Sequence, residues 1–101
     1  MPEMRFRIRW PDGTPEACYS PSLVIKDFFS VGAEYPLVDF LERSRTALGI
    51  ASERVRAKYG MPCRRALAQL DRIEATAVAF AENRDARVAI EAFDDTNGGA
   101  P

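Results

Sequence analysis

Met4, Phe6, Ile8 and Trp10 alternate with Arg5, Arg7 and Arg9, so a strand over these residues places four apolar side chains on one face and three guanidinium groups on the other. Pro11-Asp12-Gly13-Thr14-Pro15 follows, a concentration of turn formers that predicts a reversal into a second strand from about Glu16. Along that strand the odd positions Ala17, Tyr19, Pro21, Leu23 and Ile25 are expected to face the core. Cys18, Ser20 and Ser22 then fall on the arginine face, although Pro21 weakens the facing beyond Ser20, because proline favours edges and bulges.

Ser30 to Glu34 reads as a loop, and Pro36 suits the first position of a helix, where its missing N–H costs nothing. Leu37, Phe40, Leu41, Ser44, Ala47 and Leu48 repeat at helical spacing. Gly49 ends or kinks this helix and Ser52-Glu53 can restart it, so one kinked helix and two successive helices both fit. Gly60 supplies the next stop and Pro62 the next start, with Ala66, Leu67, Leu70, Ile73, Ala77, Phe80 and Ala81 forming a buried stripe. Arg87 to Phe93 alternates again, placing Arg87, Ala89, Glu91 and Phe93 opposite Val88, Ile90 and Ala92.

The order β-β-α-α-β predicts a two-layer α+β domain, a three-stranded sheet covered on one face by two or three helices. The last strand is expected to run parallel to the first, because a pair of antiparallel helices returns the chain to the end where the second strand finished. Residues 1–93 form one domain in this reading, and 94–101 a flexible C-terminal tail.

Composition agrees with a single soluble domain: 101 residues, 47% apolar, 29% charged and net charge −1. Apolar runs are too short to span a bilayer and no signal-like start is apparent, so the expected location is cytoplasmic, without membrane contact. The chain has no histidine. That removes the usual metal ligand and neutral-pH base, and with them Ser-His and Cys-His nucleophile pairs within one chain. No metal site or cofactor is expected, and no glycine-rich phosphate loop or dinucleotide fingerprint is present.

Two features could carry chemistry. Cys63 lies in the expected first turn of the helix after Pro62, beside Arg64 and Arg65, where helix dipole and cations favour thiolate; the alternative is a small apolar filler. Cys18 shares the expected open sheet face with Arg5, Arg7, Arg9, Ser20, Arg87 and Phe93, a surface for docking a partner or a second copy. Equally, the arginines there keep an exposed sheet soluble by pairing with Glu16 or Glu91. A Cys18–Cys63 disulfide is disfavoured, since the two fall in different layers.

Charge is uneven along the chain. Residues 43–65 hold Arg43, Arg45, Arg54, Arg56, Lys58, Arg64 and Arg65 against Glu53 alone. Such a helical segment could bind a phosphate backbone, but a solvated face paired to the acidic remainder is the simpler expectation, so nucleic acid is not expected as a partner.

RIRWPDG, CYSPS and SRTALGIASERVRAKYGMPCRRAL together resemble the small nitrogen-starvation-response proteins of bacteria, which are encoded beside a nitrilase in a multigene cluster. The resemblance extends from Met1 to about Phe80. It implies an accessory protein in a pathway that scavenges nitrogen from nitriles or cyanide, with protein partners from the same cluster, and it brings no catalytic residue. The leading expectation is a non-enzymatic protein acting through the open sheet face. The alternatives are a thiol-dependent enzyme or redox sensor using Cys63 or Cys18, and a nucleic-acid-binding regulator using Arg54, Arg56, Lys58, Arg64 and Arg65.

Overall fold

The computed structural model describes residues 3–94. Its elements are β1 (Met4–Arg9), β2 (Pro15–Ser20), α1 (Ile25–Phe28), β3 (Glu34–Pro36), α2 (Leu37–Tyr59), α3 (Arg64–Val78) and β4 (Arg87–Asp94). One sheet of four antiparallel strands in the order β2-β1-β4-β3 carries the helices on one face. The α+β class is as expected. The strand count and the direction of the last strand are not.

Both differences come from residues 21–36. The expected second strand ends at Ser20, and the chain then passes through α1 and β3 to the far end of the sheet before the helix pair begins. The antiparallel helices consequently return it to that far end, where Leu37 N–H donates to Ala86 C=O, and β4 runs antiparallel to β1. Glu34–Pro36, expected as loop and helix start, forms the fourth strand against Arg87–Ala89. Of the expected tail, Asp94 closes β4, and residues 95–101 lie outside the described residues.

The β1–β2 loop runs from Trp10 to Thr14 and closes with Trp10 N–H to Thr14 C=O at 2.9 Å. Gly13 takes φ +90°, which a side chain would resist. This loop length sets the register, pairing Met4 with Ser20, Phe6 with Cys18 and Ile8 with Glu16. Directly opposed residues share a face, so even positions of β2 point inward. Cys18 and Ser20 are therefore core residues at 1% and 0% exposure, correcting the expected placement on the arginine face.

A bulge corrects Phe93 in the same way. Ile8 pairs with Ile90 and Arg7 with Ala92, leaving Glu91 as the extra residue of β4. After that insertion Phe93 stands opposite Phe6 and packs against the core, while Glu91 stays on the open face beside Arg7 and Arg9.

Gly49 does not end the long helix, which continues to Tyr59 and stops at Gly60, whose φ of +85° makes a left-handed cap. The next helix begins at Arg64, so Cys63 is its N-cap rather than a first-turn residue. Arg45 pairs with Glu74, and Cys63 N–H donates to Ser52 Oγ at 3.2 Å; these contacts place α2 and α3 side by side and antiparallel.

Between helices and sheet lies an aromatic row. Phe6 stacks on Phe29, Phe29 meets Phe40, and Trp10 lies edge-on to Phe40 and parallel to Phe80, with centroids 5.5–6.1 Å apart. The one polar atom Trp10 carries is satisfied, its Nε1 donating to Glu16 Oε1 at 2.8 Å. Glu16 thus serves Trp10 and approaches Arg72, and the sheet arginines turn to Glu91 instead.

Candidate functional site

Helices cover one face of the sheet, and the other is left open among the described residues. Its cross-strand rows follow from the register: Tyr19, Arg5 and Asp94; Ala17, Arg7 and Ala92; Arg9, Ala89 and Glu34; Arg87 and Pro36. Glu91 draws in two arginines, Arg9 Nε at 2.6 Å and Arg7 Nε at 3.3 Å. The Arg9 hydrogen bond holds the Glu91 carboxyl below its ordinary pKa, against an opposing effect of desolvation and with a lesser contribution from Arg7. Arg5 and Arg87 have no ion-pair partner among the described residues.

The middle row has a long side chain between two methyl groups. Ala17 and Ala92 leave the floor low on both sides of Arg7, and with Arg5 and Asp94 they outline a depression of about 150 Å³. The face as a whole balances Arg5, Arg7, Arg9 and Arg87 against Glu34, Glu91 and Asp94. It is a mixed-charge surface rather than a basic one.

Of the expected open-face residues, the structure brings Arg5, Arg7, Arg9 and Arg87 together and removes Cys18 and Ser20. Burial, with a smaller push from the Glu16 carboxylate and some relief from Arg72, raises the Cys18 thiol far above its ordinary range. A thiol so placed stays protonated and is no nucleophile at neutral pH. Ser20 Oγ donates to Ser22 C=O at 2.7 Å and accepts from Ser22 N–H, and Ser22 Oγ accepts from Val24 N–H and from Arg54. The serines of CYSPS thus shape the turn out of β2.

Cys63 is half-buried at the edge of a recess of about 210 Å³ lined also by Glu3, Tyr19, Pro21, Val55 and Tyr59. Tyr19 donates its hydroxyl to Glu3 at 3.0 Å, and the Arg65 guanidinium lies 3.9 Å from its ring centre. Burial and then the Glu3 hydrogen bond push the Tyr19 phenol up to about 12. Tyr19 is hydrogen-bonded to the Glu3 carboxylate, whereas Cys63 Sγ has no base in hydrogen-bond contact among the described residues.

The basic segment is partly internal wiring. Arg43 bonds Asp39 and Phe28 C=O, Arg45 pairs with Glu74, Arg54 holds Ser22, and Arg56 forks onto Glu53. Lys58, Arg64 and Arg65 meet no carboxylate among the described residues. The antiparallel packing of α2 on α3 also differs from the crossed helices of a duplex-reading helix-turn-helix. No group of residues suited to holding a metal occurs among the described residues. No helix of the described chain is long and apolar enough to cross a membrane.

Sequence reasoning missed Ala17, Ala92, Asp94 and Glu34 as members of the open face. The signal for Ala17 was the loop length between the strands, and for Ala92 and Asp94 a bulge that alternation alone does not reveal.

Fold and surface together define a small α+β domain with one face of its four-stranded sheet left uncovered among the described residues. A family model described as nitrogen starvation-induced protein NitG matches residues 5–93, and the chain belongs to that family. No curated protein and no solved structure gives a significant match.

Proposed function

We propose that this protein is a non-enzymatic accessory component of the nitrogen-starvation response that docks a partner protein through its open sheet face. The observation that carries the reading is the Ala17–Arg7–Ala92 row with Arg5 beside it. A partner carboxylate entering that depression would meet two guanidinium groups, one without an ion pair and one held only loosely by Glu91, against the single Asp94 carboxylate at its rim. Strands of six, six, eight and three residues lying about 4.8 Å apart give a footprint on the order of 400 Å². That is about half of what each side of a standard stable interface buries, so the face suits a transient partner better than a permanent homodimer. The resemblance to proteins encoded beside a nitrilase makes products of such a gene cluster, in a nitrile- or cyanide-scavenging pathway, the first partners to examine.

The test is affinity purification from nitrogen-starved cells with the native chain, Arg7→Glu and Ala92→Trp. Both substitutions lie on an exposed or half-exposed face and leave the core intact. A partner captured by the native chain and lost from both variants supports the reading. Equal capture by all three, or none by any, overturns it.

A further inference from the structure

We propose that the α2–α3 elbow is a second docking surface, taking a short acidic segment of a partner protein that carries an apolar side chain. Arg54, Arg56, Lys58, Arg64 and Arg65 flank its turn in the sequence; Arg54 is held by Ser22 and Arg56 by Glu53, and the Glu3 carboxylate lines the adjoining recess with Tyr59 and Cys63. At its tip Tyr59 and Met61 are 63% and 60% exposed. Large apolar side chains left out of the core and framed by arginines form a combination enriched at protein interfaces.

The charge is placed against the helix that bears it. The first turn of α3 contains Arg64 and Arg65 with no acidic residue, and its N-cap makes no side-chain hydrogen bond. Cations at that end are unfavourable to the helix dipole, so folding does not account for them. Arg65 has a structural task on the Tyr19 ring, whereas Arg64 is exposed and meets no carboxylate among the described residues. An acidic segment would supply what the sequence withholds there.

Charge complementarity sets the class of partner, and the apolar tip selects among polyanions. A nucleic acid backbone would use the cations and leave Met61 idle. A lipid surface would want a broader basic face than one turn between two helices. An acidic peptide with one apolar anchor uses both.

The test is fluorescence anisotropy of the intact protein with three probes: a labelled oligoglutamate peptide with a central leucine, a labelled oligothymidylate of equal charge, and labelled phosphatidylglycerol–phosphatidylcholine vesicles. The peptide is expected to bind most tightly and to weaken as salt rises. Arg64→Glu should weaken it roughly tenfold, the effect of losing one charge-assisted contact. Met61→Ser should weaken the leucine peptide but not an all-glutamate peptide. Absence of peptide binding, equal binding by Arg64→Glu, indifference to Met61→Ser, or tighter binding of either other probe overturns the proposal. Arg7→Glu on the sheet face is expected to leave peptide binding unchanged, so this surface and the sheet face fail or stand separately.

Discussion

Phe6 and Cys18 stand directly opposite each other across the β1–β2 ladder, and both are enclosed by the core. The pairing makes Cys18 a packing residue. Under native conditions a disulfide-exchange reagent is expected to modify Cys63 and spare Cys18, giving one reactive thiol per chain and two after denaturation. Native modification of both at similar rates would contradict the register.

Burial also gives Cys18 a pH signature. Its folded pKa is raised, so the native state holds the proton that the unfolded thiol begins to lose near pH 8.5. The stabilisation is fully present below that pH and declines as pH rises, by up to about 1.4 kcal/mol per unit. Tyr19 adds a loss between pH 10 and about 12. Urea unfolding from pH 7 to 10 should show a falling midpoint for the native chain and a flatter one for Cys18→Ala, which begins lower because a core methyl-sized volume is lost.

Two glycines of one helix should respond oppositely to alanine. At Gly60 the positive φ makes a Cβ cost about 1 kcal/mol, whereas at Gly49, inside α2, an added Cβ meets nothing within 4 Å. Gly49→Ala should therefore stabilise by about 0.5–1 kcal/mol. Thermal unfolding of both variants checks the pair.

Ser44 is buried at 1% exposure and its hydroxyl has no hydrogen-bond partner among the described residues. Leaving such a group unpaired costs about 1–3 kcal/mol, so Ser44→Ala should raise the melting temperature rather than lower it. A fall would show that the hydroxyl is satisfied after all.

Arg64→Glu should stabilise the fold by about 0.3–1 kcal/mol by placing an acid in the first turn of α3. Measured in low salt by chemical unfolding, the gain should shrink as salt rises.

Much of this architecture was legible from residue types. The alternation from Met4 to Trp10 gave the first strand and its core face, and Glu91 was foreseen as a partner for the sheet arginines. Helical spacing located both long helices. What was hidden depends on parity: hydrophobicity assigned Ala17 and Tyr19 inward over Cys18 and Ser20, but a five-residue loop decides the register and Ser20 is satisfied locally by Ser22. The three-residue β3 was invisible for another reason. Glu34-Tyr35-Pro36 has too few positions to show a period and is a strand because β4 lies beside it. At the site, Arg5, Arg7, Arg9 and Arg87 were legible, while the alanine floor between them required the bulge at Glu91.

The edge of β2 bears on how this chain can associate. Tyr19 N–H points away from β1 and is taken by Gln69 Oε1 at 2.9 Å, and Pro15, two alternations along the same edge, has no N–H to offer. Only Ala17 is left with an outward donor on that strand, and β3, at the opposite margin, is three residues long. Both borders thus offer few outward donors, which disfavours edge-to-edge strand pairing between copies of this sheet and leaves its face, rather than its margins, as the surface for association.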